Sequence, residues 1–154
     1  QGLDLGCTPY VANAFGDIGL KCFSVAGANL NGANLQYADV YGLDFTGASL
    51  QNANLPGANL SNNSTLSGAN VSGAYLEGIT MQGATLTGAN FQNSTMAYVT
   101  LGGGNASGTN FNGVQGWTVI KLTGGMSWNS LTICPNGSPP PSGVAMCTTE
   151  TLGW

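Results

Sequence analysis

The sequence predicts an all-β chain wound into a square β-solenoid. Three observations carry this: a five-residue beat of large apolar residues, a second beat of small residues two positions earlier, and glycine as the commonest residue two positions after the large one. A helix repeats every 3.6 residues and a flat strand every 2, so neither explains the spacing. A short extended step followed by a corner does.

The large residues run Val25, Leu30, Leu35, Val40, Phe45, Leu50, Leu55 and Leu60. One residue is inserted within Ser61-Asn62-Asn63, and the beat resumes at Leu66, Val71, Leu76, Met81, Leu86, Phe91, Met96, Leu101, Ala106 and Phe111. Small residues precede them, as in Ala28-Asn29-Leu30 and Ala58-Asn59-Leu60, with Leu43 and Ile79 as larger exceptions. Residues two apart on an extended step share a side, so the small and the large residue both point inward and the polar one between them outward. Glycine enters positive-φ conformations at little steric cost, which suits it to the corners.

Four corners close a coil of about twenty residues, and stacked coils bury their apolar residues in columns. The period assigns Leu30, Leu50, Val71, Phe91 and Phe111 to one face, and Leu35, Leu55, Leu76 and Met96 to the next. Val40, Leu60, Met81 and Leu101 form the third column; Phe45, Leu66, Leu86 and Ala106 form the fourth. About four and a half coils at ~4.8 Å each give a stub roughly 22 Å tall. The insertion near Asn62 is expected as a bulge between the third and fourth faces.

This alternation of Ala, Asn and Leu resembles the pentapeptide-repeat family over roughly residues 23 to 115. The resemblance implies a right-handed quadrilateral β-solenoid. Some members of that family protect DNA gyrase by mimicking the shape and charge of duplex DNA. Here the coil carries only Asp39, Asp44 and Glu77, too sparse a field for electrostatic mimicry.

Residues 1–22 read as an N-terminal cap, with Asp17-Ile18-Gly19-Leu20 as a degenerate first unit, and 116–154 as a C-terminal cap or tail. A short strand is expected at Trp117–Leu122 and mostly irregular structure beyond it. Solenoid ends expose unpaired backbone and an apolar cross-section, so they require caps or partners. Four cysteines flank the repeat: Cys7 and Cys22 before it, Cys134 and Cys147 after it. An even count with no zinc-like spacing reads as disulfides, and separation along the chain favours Cys7–Cys22 and Cys134–Cys147. With the chain beginning at Gln1 rather than Met, this points to a secreted, extracellular or cell-surface setting, or the periplasm.

The inventory argues against catalysis. With no histidine there is no Ser-His or Cys-His nucleophile pair, and no cofactor or metal motif is present. Asp39 and Asp44 read as solvated coil residues. Gly102-Gly103-Gly104 lacks the Lys-Ser/Thr of a phosphate loop and reads as a loosened coil. Asn-x-Ser/Thr sequons occur at Asn63, Asn70, Asn93, Asn105 and Asn136, where asparagine is common anyway. Two lysines and no arginine cannot form a nucleic-acid-binding patch, and no apolar stretch approaches the ~20 residues of a membrane span.

A surface with 5% charged residues favours association. The expectation is therefore a non-enzymatic extracellular structural protein assembling with itself end to end into a filament or layer. Tyr37, Tyr41, Tyr75, Tyr98, Trp117, Trp128 and Trp154 are its candidate assembly surface. The alternative is a binding module for ice or glycan, presenting the hydroxyls Thr46, Thr65, Ser67, Thr85 and Thr87 on the fourth face.

Overall fold

In a regular five-residue unit such as Ala69–Gly73 each backbone N–H has its own partner, and this accounting defines the coil. In the unit Ala69–Gly73, Ala69 N–H donates to Leu66 O at 2.9 Å, closing a tight turn. Asn70 N–H reaches back to Ala48 O of the preceding coil at 2.9 Å. Val71 and Gly73 N–H reach forward to Asn90 O and Gln92 O of the next coil at 2.7 and 3.0 Å. The fifth donor, Ser72 N–H, is taken by the side chain of Asn70, whose Oδ1 accepts at 3.2 Å. No donor is orphaned, as burial of backbone requires.

The computed structural model describes residues 8–11, 18–21, 24–40, 42–61, 64–117, 121–122, 125–140 and 147. From Asn29 onward the chain forms parallel ladders on four faces, with each coil paired to the next through Asn29↔Ser49, Asn34↔Asn54, Asp39↔Asn59 and their successors. On the third face the pairing is long enough to form strands β3 (Thr80–Gln82), β4 (Thr100–Gly102) and β5 (Lys121–Leu122). These run parallel in the order β3-β4-β5.

The four expected columns form the core. Phe45, Phe91 and Phe111 are fully buried, as are Leu86, Met81 and Met96, with the alanines between them. Phe91 and Phe111 stack with centroids 5.4 Å apart and planes 18° from parallel. Val40, beside the insertion, is only partly buried. The ladder offset changes from 20 at Asp39↔Asn59 to 21 at Asp44↔Thr65, which places the extra residue between the third and fourth faces as expected. Ser64 takes the small inward position there, and its hydroxyl reaches Ser61 O at 3.2 Å and Val40 O at 3.3 Å, tying the bulge down.

Three sequence expectations change. Ile18–Lys21 (β2) is no first solenoid unit: it pairs antiparallel with Thr8–Val11 (β1), in the register Thr8↔Lys21 to Val11↔Ile18. The glycine triplet is tight, since a Cβ on Gly104 would fall 1.9 Å from Ala84 O. The ladder also continues beyond residue 115, with Asn105↔Ser127 and Asn110↔Ile133. Offsets of 22 and 23 there replace the regular 20, and for that reason the five-residue beat cannot be followed by eye.

That extension closes the C-terminal end of the core. Met126-Ser127-Trp128 and Thr132-Ile133-Cys134 each take the inward, outward, inward order of a unit. Trp128 thereby follows Ala106 in the fourth column and Cys134 follows Phe111 in the first. Cys134 bonds to Cys147, with both residues buried and their Cα atoms 5.5 Å apart. Trp117 and Trp128 tilt onto Phe111 at 5.0 and 5.8 Å, and Trp117 Nε1–H donates to Cys147 O at 3.2 Å. Thr109 and Thr132 hydroxyls donate to Leu86 O and Ala106 O of the coils below at 2.7 and 2.8 Å.

Candidate functional site

The corners decide what the surface presents. Most corner residues are glycines with φ near 65°, but Tyr37 (φ 57°), Asn52 (55°), Asn93 (59°) and Tyr98 (58°) hold the same left-handed conformation with a side chain. Asparagine tolerates it; a tyrosine there is strained. Tyr37 and Tyr98 occupy one edge, between the second and third faces, where successive coils place Tyr37, Gly57, Gly78 and Tyr98. They therefore sit on a corner and not on a flat face.

Tyr37 is 75% exposed and Tyr98 65%. The Tyr37 ring lies across the next corner, for a Cβ on Gly57 would fall 2.6 Å from Tyr37 Cδ1. Gly78 is open, with no side chain within 4 Å of a Cβ built on it. Beside Gly78, on the second face, Tyr75 is 42% exposed and its hydroxyl hydrogen-bonds to Glu77 Oε2. The hydrogen bond and the charge of Glu77 both push the Tyr75 phenol up from its ordinary value, so it stays protonated and holds the carboxylate in place. Three tyrosines and one carboxylate, distant in sequence, thus share one edge and its flanking face.

The remaining sequence candidates fall elsewhere. Trp117 is buried and Trp128 half-buried in the C-terminal cap, both packed on Phe111. Tyr41, Trp154, Cys7 and Cys22 lie outside the described residues. On the fourth face Thr65 Oγ1 and Ser67 Oγ bond each other at 3.0 Å, and Ser67 N–H donates to Thr65 Oγ1 at 3.3 Å. The Thr46 side chain, and then its N–H, which donates to Asp44 Oδ1 at 2.9 Å, hold the Asp44 carboxyl below its usual range. Thr85 and Thr87 are flanked in the column by Asn105 and Ser107, where Ser107 N–H donates to Asn105 Oδ1 at 2.9 Å. These polar groups serve their own turns and form no unbroken hydroxyl array.

The sequence reading missed two things: the asparagine before many of the large residues caps the following turn, and tyrosine occupies the glycine slot at residues 37 and 98. The second was available in the five-residue register. Among the described residues no group of three metal-binding side chains occurs, and no helix is long and apolar enough to cross a membrane.

A parallel four-faced coil with glycine corners defines a quadrilateral β-helix. The family model for pentapeptide repeats matches in eight copies over residues 26–62, 44–83, 64–97 and 75–113, more than half of the chain. The chain belongs to the pentapeptide-repeat family, whose solved members imply the right-handed form of the helix. It is similar in fold to QnrB1, a plasmid-mediated fluoroquinolone resistance protein, at 19% identity and TM-score 0.59, covering 68% of this chain and 48% of that one. It thus spans about half the length of the QnrB1 chain. Weaker likenesses are to the pentapeptide repeat protein Rfr23 from the cyanobacterium Cyanothece 51142 and to HetL from Nostoc sp. strain PCC 7120. The first has 25% identity, TM-score 0.41 and coverage of 64% and 62%; the second has 22% identity, TM-score 0.34 and coverage of 76% and 68%. HetL is described as involved in heterocyst differentiation regulation. No curated protein matches the chain in sequence.

These findings correct the expectation of an extracellular filament. The same coil occurs in QnrB1, described as a fluoroquinolone resistance protein, so a low-charge solenoid gives no warrant for a filament. The ice or glycan reading of the fourth face goes with it, because its hydroxyl ladder is broken by Asp44 and Asn105.

Proposed function

We propose that the chain is a non-enzymatic binding rod that docks a partner protein along the edge bearing Tyr37, Tyr75 and Tyr98. One observation carries this reading: two tyrosines stand exposed in a backbone conformation where glycine would cost less, on the same edge, three coils apart. Strain held at a surface position points to use of that position. Exposed tyrosines supply large, rigid, amphipathic contact area, the commonest currency of protein recognition. The sparse charge of the surface favours a protein over a nucleic acid.

In this reading residues 1–22 and 116–154 cap the repeat at 23–115, and both caps are stapled. The Cys134–Cys147 bridge supports the second staple; the register Thr8↔Lys21, one residue inside Cys7 and Cys22, supports the first. Such bridges suit a secreted, surface or periplasmic protein.

The test is site-specific photo-crosslinking in the organism that makes the protein, from residue 98 and from residue 87 on the diagonally opposite side. A protein adduct of one defined mass from position 98 and none from position 87 is the expected result. Equal adducts from both, or none from position 98, would remove the tyrosine edge as the docking surface.

A further inference from the structure

The edge has a particular shape at Gly78, and it rests on the docking reading above. The Tyr37 ring covers Gly57 at the second coil, Gly78 stands bare at the third, and Tyr98 rises at the fourth. Two coil spacings, roughly 10 Å, separate the coil that the Tyr37 ring covers from the coil that bears Tyr98. That leaves a slot about one side chain wide, floored by glycine backbone and walled by tyrosines. Glu77 opens beside it. Its Oε2 is held by the Tyr75 hydroxyl, which leaves Oε1 for a visitor.

We propose that this slot seats an arginine side chain of the partner protein. A carboxylate framed by aromatic faces selects a cation, and a planar one best. The guanidinium is flat, delocalised and weakly hydrated, stacks on tyrosine, and meets a carboxylate through a fork of N–H donors. An ammonium group is compact and strongly hydrated, and gains less from such walls. The Tyr75 hydrogen bond orients Glu77 before binding, which lowers the ordering cost at the moment of contact. The occupant is a different protein and not a second copy, because this chain contains no arginine.

The test is a titration of the full chain, isotopically labelled, followed by nuclear magnetic resonance at constant ionic strength. The probes are N-acetyl-arginine amide, N-acetyl-lysine amide and the uncharged N-acetyl-proline amide. Arginine amide is expected to shift the Gly78 amide and the Tyr37 and Tyr98 ring signals with saturation, at least about threefold more tightly than lysine amide. Glu77→Gln is expected to weaken arginine binding by a similar factor while the fold, read by circular dichroism, is unchanged. Equal binding of arginine and lysine, or binding indifferent to Glu77→Gln, overturns the assignment. If proline amide alone shifts the tyrosines, the docking edge stands and the arginine assignment falls. If no probe shifts them, the arginine assignment falls, and the crosslink from position 98 decides the wider reading independently.

Discussion

At the scale of single residues, two glycines separate conformation from space. Gly32 has φ 66° and nothing within 4 Å of an added Cβ, so Gly32→Ala meets only the cost of the left-handed backbone, about 1–2 kcal/mol. At Gly104 the obstacle is a carbonyl, 1.9 Å from the added Cβ, which cannot give without breaking the ladder to the third coil. Gly104→Ala is expected to cost more than Gly32→Ala, by about 2 kcal/mol or over, as overpacking against backbone does. Urea unfolding of the two variants checks this, and equal losses would mean that the corner relaxes. Asparagine carries the converse lesson. At Asn29, Asn34, Asn59, Asn70, Asn90 and Asn110 its side chain accepts the one N–H the ladders leave over. From the sequence alone that residue reads only as polar and outward.

At the scale of elements, the C-terminal cap is an irregular coil held by a covalent bond. The bridge spans 13 residues and lies over the last phenylalanine of the first column. A loop of that size closed by a disulfide contributes about 3 kcal/mol through the unfolded state. Replacing Cys134 and Cys147 by alanine is expected to lower unfolding free energy by about 2–3 kcal/mol and to raise the solvent exposure of Trp117. Denaturation followed by tryptophan fluorescence measures both. A variant of unchanged stability would show that the aromatic contacts suffice as a cap. Non-reducing peptide mapping of the wild-type chain reads the pairing directly, with Cys7–Cys22 and Cys134–Cys147 expected and any cross-pairing between the two ends ruling it out.

At the scale of the whole molecule, the solenoid is stabilised by burial and backbone ladders with almost no ionic contribution, and its stability should be nearly indifferent to pH near neutrality. No histidine titrates there. Asp44 has its folded value lowered from 3.8, so its contribution is present above that unfolded value and is lost as pH falls through the folded one. Tyr75 has its folded value raised above 10.0, so its contribution is complete below pH 10 and is lost as pH rises through the folded value. Thermal melts are expected to plateau between about pH 5 and 9 and to fall at both extremes. A step near pH 6 to 7 would contradict this.

The coil follows from the five-residue period alone. That period fixed which residues point inward, which form columns, where the insertion falls and which cysteines lie beyond the repeat, because each unit depends only on its neighbours in a stacked array. The tertiary structure decided everything that joins distant units at irregular spacing. Trp128 above Ala106 and Cys134 above Phe111 lie at offsets of 22 and 23 residues, which a five-residue count cannot reach. The tyrosine edge lies within reach of that count, since Tyr37, Gly57, Gly78 and Tyr98 follow at 20, 21 and 20 residues; what stacking adds is contact, the Tyr37 ring lying across Gly57. A surface made by stacking is invisible to any window shorter than a turn of the helix.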